Sequence, residues 1–313
     1  MENIKVSIIC NTYNHENYIA DALESFIRQK TNFQYEILIH DDASTDGTVE
    51  IIKKYANEFP NLVKPIYEET NQYSINPGIV SDIQSVRAKG RYIAMCEGDD
   101  YWIDDYKLQK QFDLLESNPE VDICATSAIV VDAETKKQIA RKAPFTENKI
   151  ISVQDVIKGG GGYVATNSLM YRIELDEKMP SFRKKWRYDY TLQIQGALRG
   201  GMLYLSDCTA VYRWLSNGSW SQKTYSNRDT YINSLASFNE MLEVLNQETD
   251  RKYEHTINDV ITQNKFVILR LTGKLEKMKS EKYKKLYQGL GLKDKIKMHL
   301  KSWFPFLLRR NLL

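Results

Sequence analysis

The amino-acid sequence predicts an α/β protein whose core is a mixed, mostly parallel sheet flanked by helices. One observation supports this prediction, and a second one adds a helical part at the C-terminus. The first 130 residues alternate between apolar segments of strand length and segments with helical spacing, and parallel strands connected by helices produce this alternation. From Asn227 onward the pattern is mainly helical and rich in Lys and Glu, which predicts a helical C-terminal extension.

The predicted elements follow one another in a regular order along the chain. The strands are expected at residues 5–14, 35–44, 62–69, 91–100 and 121–132. The intervening helices are expected at residues 18–29, 46–59, 78–90 and 104–119. Residues 132–220 are less regular and contain a glycine run, a helix at residues 188–200 and two strands at residues 201–207 and 208–214.

Composition and charge narrow the class of protein. With 313 residues, 42% hydrophobic and 27% charged, the chain is expected to be a soluble globular protein, either one large α/β domain with appendages or two domains. The formal net charge is only +2, whereas general nucleic-acid binders carry a strong basic excess. The sequence therefore argues against a nucleic-acid partner.

The cysteines and the N-terminal segment indicate a cytoplasmic protein. Cys10, Cys96, Cys124 and Cys208 are far apart, show no metal-binding spacing and lie mostly in apolar segments, so buried free thiols in a reducing compartment are expected. Residues 1–14 lack the basic and apolar regions of a signal peptide. No apolar run reaches the ~18 residues that a membrane-spanning helix requires.

Polar side chains follow three of the predicted strands at the point where each strand ends. The three segments read "NTYN" from Asn11, "HDDAS" from His40 and "EGDD" from Glu97. Ligands of open α/β sheets bind at the carboxyl ends of the strands. The coincidence of three such ends predicts a binding site at this edge of the sheet.

The segment "HDDAS" places Asp41 and Asp42 directly after a strand, and a helix follows it. Ser44 or Asp46 is expected to cap that helix. Capping needs one side chain only, so the remaining carboxylates are available to accept hydrogen bonds from a nucleobase N–H or from ribose hydroxyls.

The segment "EGDD" is the strongest signal of the three. Gly98 is expected to allow a sharp turn, so that the carboxylates of Glu97, Asp99 and Asp100 converge. Mg²⁺ and Mn²⁺ prefer oxygen ligands and typically take one or two carboxylates together with substrate phosphates. The alternative is a solvated acidic turn that caps the next helix.

A fourth carboxylate stands apart from the strand ends. Asp189 precedes a predicted helix and is flanked by Tyr188 and Tyr190, with Trp186 nearby. Desolvation by aromatic side chains raises the pKa of a carboxyl group, which suits a general base. The alternative, a helix N-cap, is the interpretation that the sequence alone favours.

Taken together, these segments identify a family resemblance. The stretch from Val6 to Tyr55, the "EGDDYW" segment and the "YDYTLQIQGALRG…YLSDCTAVYR" segment closely resemble, in the same order, the motifs of family 2 glycosyltransferases. The resemblance covers residues 5–220 and implies the GT-A fold. It further implies a divalent cation, Mn²⁺ or Mg²⁺, and a nucleotide-sugar donor.

The resemblance also implies roles for individual residues. Asp189 would be the general base, and the metal ion would be bound by Asp99 or Asp100, with the choice between them left open. The residues implied to contact the nucleotide-sugar are Asn11, Thr12, Tyr13, Asn14, Asp41, Asp42, Glu97 and Asp99. An acceptor or phosphate loop would draw on Gly161, Gly162, Tyr163, Arg213, Ser219 and Trp220.

The chain departs from the family pattern at two places. Glu97 stands where the family usually has the first Asp of its D-x-D region, and its longer side chain would reach the ribose differently. After "VYR" the chain reads "WLSNGSW", without the His that is often found there. Arg213, Ser219 or Trp220 would have to substitute. The glycine run at residues 159–162 is either a mobile acceptor-side loop or a plain flexible turn.

The implied reaction is a single inverting displacement, with a UDP-linked sugar as the expected donor, in the synthesis of a bacterial surface glycan. Residues 1–130 would bind the donor, residues 131–225 would hold the base and the acceptor, and residues 226–313 would form the helical extension. Two competing functions remain. A sugar-nucleotide nucleotidyltransferase would need a glycine-rich basic loop near the N-terminus, which "CNTYNHENY" is not. A non-catalytic nucleotide-sugar-binding protein would not need Asp189.

The last 25 residues mix basic side chains with apolar ones. Among them are Lys293, Lys295, Lys297, Lys301, Leu292, Ile296, Leu300, Trp303 and Phe304. Such a mixture suits a peripheral contact with the inner face of the cell membrane, beside a lipid-linked or glycan acceptor. The alternative is a terminal helix that packs on its own domain or on a partner, and the sequence leaves a homo-oligomer open.

Overall fold

The computed structural model describes residues 4–216 and 220–303, and the chain forms two compact units that divide after Ser216. The strands of the first unit are β1 (Ile4–Thr12), β2 (Gln34–Asp41), β3 (Val63–Tyr67), β4 (Tyr92–Met95), β5 (Tyr101–Trp102), β6 (Ile123–Asp132), β7 (Gln138–Lys142), β8 (Lys149–Ile151), β9 (Met170–Arg172) and β10 (Met202–Trp214). Its helices are α1 (Ile19–Ile27), α2 (Thr48–Glu58), α3 (Gln72–Ile75), α4 (Pro77–Arg87), α5 (Lys107–Glu116), α6 (Val153–Gly159), α7 (Glu174–Glu177), α8 (Ser181–Lys185) and α9 (Asp189–Ala197), with a 3-10 turn at Thr166–Ser168.

All of these strands belong to one mixed sheet. Its main path runs β3-β2-β1-β4-β9-β6-β10-β5, with β7 paired to β6 and β8 paired to β10. The pairings β1–β2, β1–β4, β2–β3 and β6–β10 are parallel and include most of the paired residues, while the remaining pairings are antiparallel. The predicted α/β class with a mixed, mostly parallel sheet is therefore confirmed.

The prediction of two separate strands at residues 201–207 and 208–214 is wrong, because β10 is one continuous strand. Its register against β6 shifts between Leu205 and Ala210, so the polar residues in its middle form an irregularity within the strand. Side chains outside the ladder satisfy these residues. The backbone N–H of Ser206 donates to the Asn148 Oδ1 atom at 2.9 Å, and Asp207 forms an ion pair with Lys110.

The parallel strands β1, β2 and β4 end at the same edge of the sheet. Thr12 at the end of β1 is the register partner of Asp41 at the end of β2. Beyond β4, the backbone N–H of Cys96 donates to the Ile9 carbonyl at 3.1 Å, and that of Gly98 donates to the Asn11 carbonyl at 2.9 Å. Backbone pairing thus continues past β4 and brings the acidic segment beside the end of β1.

The core of the first unit lies between the sheet and its helices. Alternate residues of β1, such as Val6 and Ile8, pack with Phe26 of α1 and with Trp102 of β5, whose rings lie 4.8 Å apart. Burial of these side chains stabilises the sheet through the hydrophobic effect. The cysteines are free thiols, as predicted, and Cys208 is the one that is partly exposed.

The second unit is helical in its described part. Its helices are α10 (Trp220–Tyr225), α11 (Arg228–Glu248), α12 (Glu254–Leu271), α13 (Leu275–Met278), α14 (Lys284–Gln288) and α15 (Leu292–Trp303), with a 3-10 turn at Glu281–Tyr283. Phe266, Leu275, Met278 and Met298 form a small buried cluster. Among the described residues, no helix is long and apolar enough to cross a membrane. The predicted helical C-terminal extension is confirmed.

Arg172 is a buried residue of the first unit that donates hydrogen bonds to several elements. Its side chain is 5% exposed, and its Nη1 atom donates to the Tyr92 hydroxyl at 2.7 Å. Its Nε and Nη2 atoms donate to the carbonyls of Val121 at 3.0 Å and Leu115 at 2.7 Å. These bonds connect β9 to β4, to α5 and to the loop before β6. Removing a buried hydrogen-bond partner leaves the other group unsatisfied, which is costly.

We expect Arg172→Met to lower the free energy of unfolding by about 3 kcal/mol, because two buried carbonyls and a hydroxyl lose their donor. The matched control is Arg91→Met, since Arg91 is exposed and forms an ion pair with Glu116 at 3.0 Å. Surface ion pairs contribute about 0–1 kcal/mol. Urea denaturation followed by circular dichroism measures both variants. Equal losses in the two variants would contradict the buried role of Arg172.

Candidate active site

The loops that follow β1 and β2 are bound to each other by side chain–backbone hydrogen bonds. The backbone N–H of Asn14 donates to the Ser44 Oγ atom at 2.9 Å, and the N–H of Thr45 donates to the Asn14 Oδ1 atom at 2.7 Å. The backbone N–H of His15 donates to the Thr48 Oγ1 atom at 2.8 Å. Asn14 and Ser44 are thus engaged in fixing the two loops, and the loops form one rigid edge.

The start of α2 is capped by two carboxylates. The Asp46 Oδ1 atom accepts a hydrogen bond from the backbone N–H of Thr48 at 3.0 Å, and the Glu16 Oε2 atom accepts one from the N–H of Gly47 at 2.9 Å. The predicted capping role therefore falls to Asp46, with Glu16 of the β1 loop as a second partner. This leaves Asp41 and Asp42 for other contacts.

Asp41 and Asp42 face different neighbours. One oxygen of the buried Asp41 accepts the N–H of Ser44 at 3.0 Å, while its Oδ1 atom is buried without a partner. The Asp42 carboxylate accepts the backbone N–H groups of Gln72 at 2.7 Å and Tyr73 at 3.1 Å, the first residues of α3. Asp42 thus holds α3 against the end of β2, a contact that the sequence did not reveal.

The end of β1 and the loop after it contain buried polar atoms that lack a hydrogen-bond partner. The Thr12 Oγ1 atom and the His15 Nδ1 atom are buried without hydrogen-bond partners. The Asn11 Oδ1 atom accepts from the Gln84 Nε2 atom at 3.2 Å, and Tyr13 is 40% exposed. These residues line the edge of the sheet between the first two loops and the acidic segment.

Gly98 is needed for close approach and not for an unusual backbone conformation. The glycines with positive φ in the described chain are Gly160, Gly200, Gly201 and Gly273. A Cβ atom on Gly98 would lie 2.7 Å from the Thr12 Oγ1 atom and 3.0 Å from the His15 Nδ1 atom. The expected turn is present, but its backbone conformation does not require glycine; the absence of a side chain is what admits the acidic segment to the β1 loop.

The acidic residues after β4 form a compact turn, in which the backbone N–H of Asp100 donates to the Glu97 carbonyl at 3.0 Å. Asp100 is 1% exposed; its Oδ1 atom accepts the backbone N–H of Arg213 at 2.8 Å, and its Oδ2 atom is buried without a partner. The Asp99 Oδ2 atom accepts a hydrogen bond from the Ser216 hydroxyl. Two carboxylates are thus held side by side.

Burial and crowding raise the pKa values of Glu97 and Asp100 in this turn. Burial, together with the charges of Asp99 and Asp189, raises the pKa of Glu97 to about 8. Burial raises the pKa of Asp100 well above its usual value, and the charges of Asp99 and Glu97 add to this shift. Asp189 therefore lies close enough to the turn to interact with Glu97.

Asp189 is the first residue of α9, and Tyr188 is the N-cap residue. Its Oδ2 atom accepts a hydrogen bond from the Thr166 hydroxyl at 2.6 Å, and its Oδ1 atom accepts the backbone N–H of Tyr190 at 2.7 Å. Burial raises the pKa of Asp189, while these two hydrogen bonds and the charge of Lys142 oppose the shift. The carboxylate thus satisfies one N–H of the helix start and also faces the acidic turn.

Tyr73 and Lys142 are among the residues of this site that sequence reasoning missed. Desolvation raises the pKa of the Tyr73 hydroxyl, and the charges of Glu97, Tyr188 and Asp189 add to this shift, so the hydroxyl lies near both the acidic turn and the candidate base. Lys142 of β7 donates to the carbonyl of Gly162 and interacts with Asp189. Neither position carries a recognisable motif, because α3 and β7 reach the site only through the tertiary fold.

The predicted acceptor or phosphate loop is only partly brought together. A Cβ atom on Gly161 would lie 3.4 Å from the Asp189 Oδ1 atom, so the glycine run does border the candidate base. Gly162 binds Lys142, and the backbone N–H of Tyr163 donates to the Gly160 carbonyl at 3.1 Å. Ser219 and the side chain of Trp220 lie outside the described residues.

The guanidinium of Arg213 is already occupied. It is 6% exposed, donates to the Asp99 carbonyl at 2.7 Å and forms an ion pair with Asp21. It lies over the rings of Tyr18 and Tyr101, with its Cζ atom 5.0 and 4.5 Å from the ring centroids. Arg213 is therefore a buried residue that packs against the acidic turn and stabilises it.

The donor set of the acidic turn fits a divalent cation that is bound jointly with a phosphate-bearing ligand. In residues 4–216 and 220–303, no group of three or more His, Cys, Asp or Glu side chains forms a complete metal site. Mg²⁺-type sites commonly need only one or two carboxylates plus substrate phosphates. The buried, unpartnered Asp100 Oδ2 atom and the neighbouring Asp99 carboxylate supply such a partial set.

Comparison with curated proteins gives matches that include named glycosyltransferases. An uncharacterized protein of Mycobacterium tuberculosis, Rv1520, is 34% identical over 229 residues, which are 71% of this chain and 62% of that protein. The chain therefore spans less than two-thirds of the length of this relative. A putative teichuronic acid biosynthesis glycosyltransferase of Bacillus subtilis, TuaG, is 27% identical over 72% of this chain and 86% of its own length.

Solved structures share the fold at low sequence identity. The crystal structure of residues 1–349 of Staphylococcus aureus TarS in complex with UDP matches with a TM-score of 0.59 and 18% identity, covering 94% of this chain and 78% of that chain. The Pyrobaculum calidifontis mannosyltransferase PcManGT, in complex with GDP-Man and Mn²⁺, matches with a TM-score of 0.51 and 14% identity, covering 96% and 87%. These matches confirm the predicted GT-A fold.

The family model described as glycosyl transferase family 2 matches residues 7–213. The matched region begins in β1, ends in β10 and contains the three strand ends, the glycine run and Asp189. The chain belongs to glycosyl transferase family 2.

Proposed function

We propose that this protein is an inverting glycosyltransferase that transfers a sugar from a nucleoside diphosphate to a hydroxyl group of a surface-glycan acceptor. One observation carries the proposal. Asp189 lies 89 residues after Asp100 in sequence, yet its charge acts on Glu97 of the acidic turn, where it adds to the effects of burial and of Asp99 in raising the pKa of Glu97. An acidic turn suited to a cation and a buried base that lie near each other suit displacement at a sugar carbon.

In this proposal the edge of the sheet binds the donor. Thr12, Tyr13 and Asp41 border the nucleoside, and the free Oδ1 atom of Asp41 is available to a ribose hydroxyl or base N–H. Asp42 contributes through α3, which it holds in place. Glu97 faces the sugar side. When bound, a divalent cation at Asp99 and Asp100 would neutralise the charge that develops on the departing diphosphate.

Asp189 carries the proton transfer. Its carboxylate takes the proton of the acceptor hydroxyl as the hydroxyl oxygen attacks the anomeric carbon from the face opposite the diphosphate. A new carbon–oxygen bond forms, the bond to the diphosphate oxygen breaks, and the nucleoside diphosphate leaves with the electron pair. Thr166 and the Tyr190 N–H hold Asp189 in place for this step. Lys142 and Gly162 close the acceptor side.

Names of related proteins support a UDP-sugar and a cell-surface acceptor. Staphylococcus aureus TarS, a poly(ribitol-phosphate) β-N-acetylglucosaminyltransferase, is 38% identical over 101 residues, which are 31% of this chain and 17% of TarS. The same protein has been crystallised with UDP-GlcNAc. In our proposal residues 1–130 form the donor half, residues 131–225 the acceptor half and residues 226–313 the helical extension.

We expect a donor screen with Mn²⁺ and a panel of UDP- and GDP-sugars to show release of nucleoside diphosphate that depends on one donor. Asp189→Asn should lower turnover by ~10²–10⁴-fold, because the general base is lost, and should leave donor binding unchanged. Asp113→Asn is the matched control, since Asp113 lies exposed on α5. Calorimetry and a coupled diphosphate assay measure the two quantities.

Two outcomes would contradict the assignments. Full turnover of Asp189→Asn would remove Asp189 from the role of base. Donor binding without any turnover, even with acceptor extracts, would favour a non-catalytic binding protein. Formation of a nucleotide-sugar from a sugar phosphate would instead favour the nucleotidyltransferase.

The pH dependence of transfer should follow the Asp189 carboxyl group. Because the base must be deprotonated and burial raises its pKa, kcat/KM should rise with pH through that pKa and then level off. Thr166→Val removes a hydrogen bond that stabilises the charged form, so the acidic limb should move to higher pH by about one unit. Thr166→Ser keeps the hydroxyl and should keep the limb in place. An unshifted limb in Thr166→Val would contradict this coupling.

We also propose that the C-terminal tail contacts an anionic membrane surface, which would place the enzyme beside a lipid-linked acceptor. Leu292 and Ile296 of α15 are 75% and 51% exposed, and the exposed Lys293 lies next to them in sequence. On the same helix, Met298 is buried against Met278 in the second unit. One face of α15 packs inward, and the other combines apolar and basic side chains. Phe304 and the residues after it lie outside the described part.

Sedimentation with phosphatidylglycerol vesicles tests this contact. The double variant Leu292→Glu, Ile296→Glu should pellet at least about threefold less than the unmodified chain, because apolar area and basic attraction are both reduced. Ile139→Glu is the control, since Ile139 is 53% exposed and belongs to the first unit. Equal pelleting of all three proteins would end the membrane proposal and favour α15 as a purely packing helix.

A further inference from the structure

The end of β10 lies directly against the two aspartates of the acidic turn. Three separate hydrogen bonds join the segments. The backbone N–H of Arg213 donates to the Asp100 Oδ1 atom at 2.8 Å, the Arg213 Nη1 atom donates to the Asp99 carbonyl at 2.7 Å, and the Ser216 hydroxyl donates to the Asp99 Oδ2 atom. The turn is thus held through its backbone and through both carboxylates.

Arg213 is itself fixed from three directions. The rings of Tyr18 and Tyr101 lie on its guanidinium at 5.0 and 4.5 Å from the Cζ atom to the centroids, and Asp21 of α1 pairs with its Nη2 atom. A cation between two aromatic faces gains electrostatic stabilisation and loses rotational freedom. With 6% exposure, the guanidinium is a buried support and does not face a solvent-filled pocket.

These contacts decide which carboxylate oxygens can meet a ligand. One oxygen of Asp100 and one of Asp99 are taken by β10, while the Asp100 Oδ2 atom is buried without a partner. Two like charges placed together repel, and without the β10 contacts the side chains would rotate apart. The hydrogen bonds and the Arg213 charge hold both carboxylates in one orientation before any ligand arrives.

We propose that Arg213 and Ser216 are positioning residues that orient Asp99 and Asp100 toward a divalent cation, with Asp21 as the outer support of Arg213. This inference rests on the proposed function, because it names what aligns the carboxylates of the same site. It replaces the expectation that Arg213 substitutes for the family's His in a direct metal or phosphate contact. A phosphate ligand would need a guanidinium that faces the donor, and this one is enclosed by Tyr18, Tyr101 and Asp21.

A positioning role and a phosphate-binding role of Arg213 predict the loss of different binding affinities. If it orients the aspartates, weakening the support should reduce affinity for the cation and leave cation-free nucleotide binding intact. If it binds phosphate, its replacement should weaken nucleotide binding without the cation. Partners that orient metal ligands typically contribute ~10–100-fold to metal affinity. Asp21 is useful here because it is 53% exposed in its side chain and lies on the far side of the guanidinium.

The experiment measures Mn²⁺ binding by electron paramagnetic resonance on the full chain, with and without UDP, and UDP binding without metal by calorimetry. The variants are Ser216→Ala, Asp21→Asn and Arg213→Lys. Glu24→Gln is the matched control, because Glu24 lies on α1 and bonds to the Tyr55 hydroxyl instead of Arg213. Thermal melting of each variant separates loss of the site from loss of the fold.

We expect Ser216→Ala and Asp21→Asn to weaken Mn²⁺ binding about tenfold, with unchanged UDP binding in the absence of metal and melting close to that of the unmodified chain. Arg213→Lys keeps the charge but loses the forked geometry, so it should also weaken Mn²⁺ binding. Unchanged Mn²⁺ affinity in both Ser216→Ala and Asp21→Asn would overturn this inference and leave the proposed function standing. Weaker metal-free UDP binding in Arg213→Lys, with normal Mn²⁺ affinity, would restore the phosphate role. No Mn²⁺ binding by the unmodified chain would overturn both this inference and the cation in the proposed function.

Discussion

The crowding of carboxylates at one edge of the sheet is the constraint on which the site depends. Glu97, Asp99 and Asp100 lie in one turn, and Asp189 is close enough to raise the pKa of Glu97. Like charges in a water-poor site repel strongly. The structure offsets this repulsion with donors that approach from outside the turn, chiefly Arg213 on one side and the groups around Asp189 on the other. What is left unpaired, such as the Asp100 Oδ2 atom, is where a cation would be favoured.

The same edge is rigid for reasons that have nothing to do with a ligand. The first two loops bind each other through Asn14 and Ser44, and Gly98 packs against Thr12 because it has no side chain. Preorganised polar groups lose little free energy to reorganisation when charge develops next to them. The loops after β1 and β2 are therefore held by hydrogen bonds to each other, and the glycine run borders Asp189 at another part of the site.

The order of the strands explains why distant segments meet. β10 pairs with β6 along its length and with β5 near its end, so Arg213 arrives beside the residues that directly precede β5. A break of β10 at Ser206 would have removed this alignment. The strand continues because its polar residues bond to Asn148 and Lys110 outside the ladder. A pattern of alternating hydrophobicity cannot show such partners, and for that reason the sequence predicted two strands here.

The sequence by itself determined the α/β class and the helical C-terminal part, because hydrophobic periodicity is a local property of the chain. The family followed from the resemblance of its strand-end and Asp189 segments to known motifs, which are also local. The sequence also placed the acidic turn and Asp189 among the candidates. Only the tertiary structure decided which atoms remain free. It showed that Asp42 holds α3, that the guanidinium of Arg213 is enclosed, and that Tyr73 and Lys142 reach the site. Hydrogen-bond partners far apart in sequence fix these roles, and no local pattern encodes a partner that the fold brings from elsewhere.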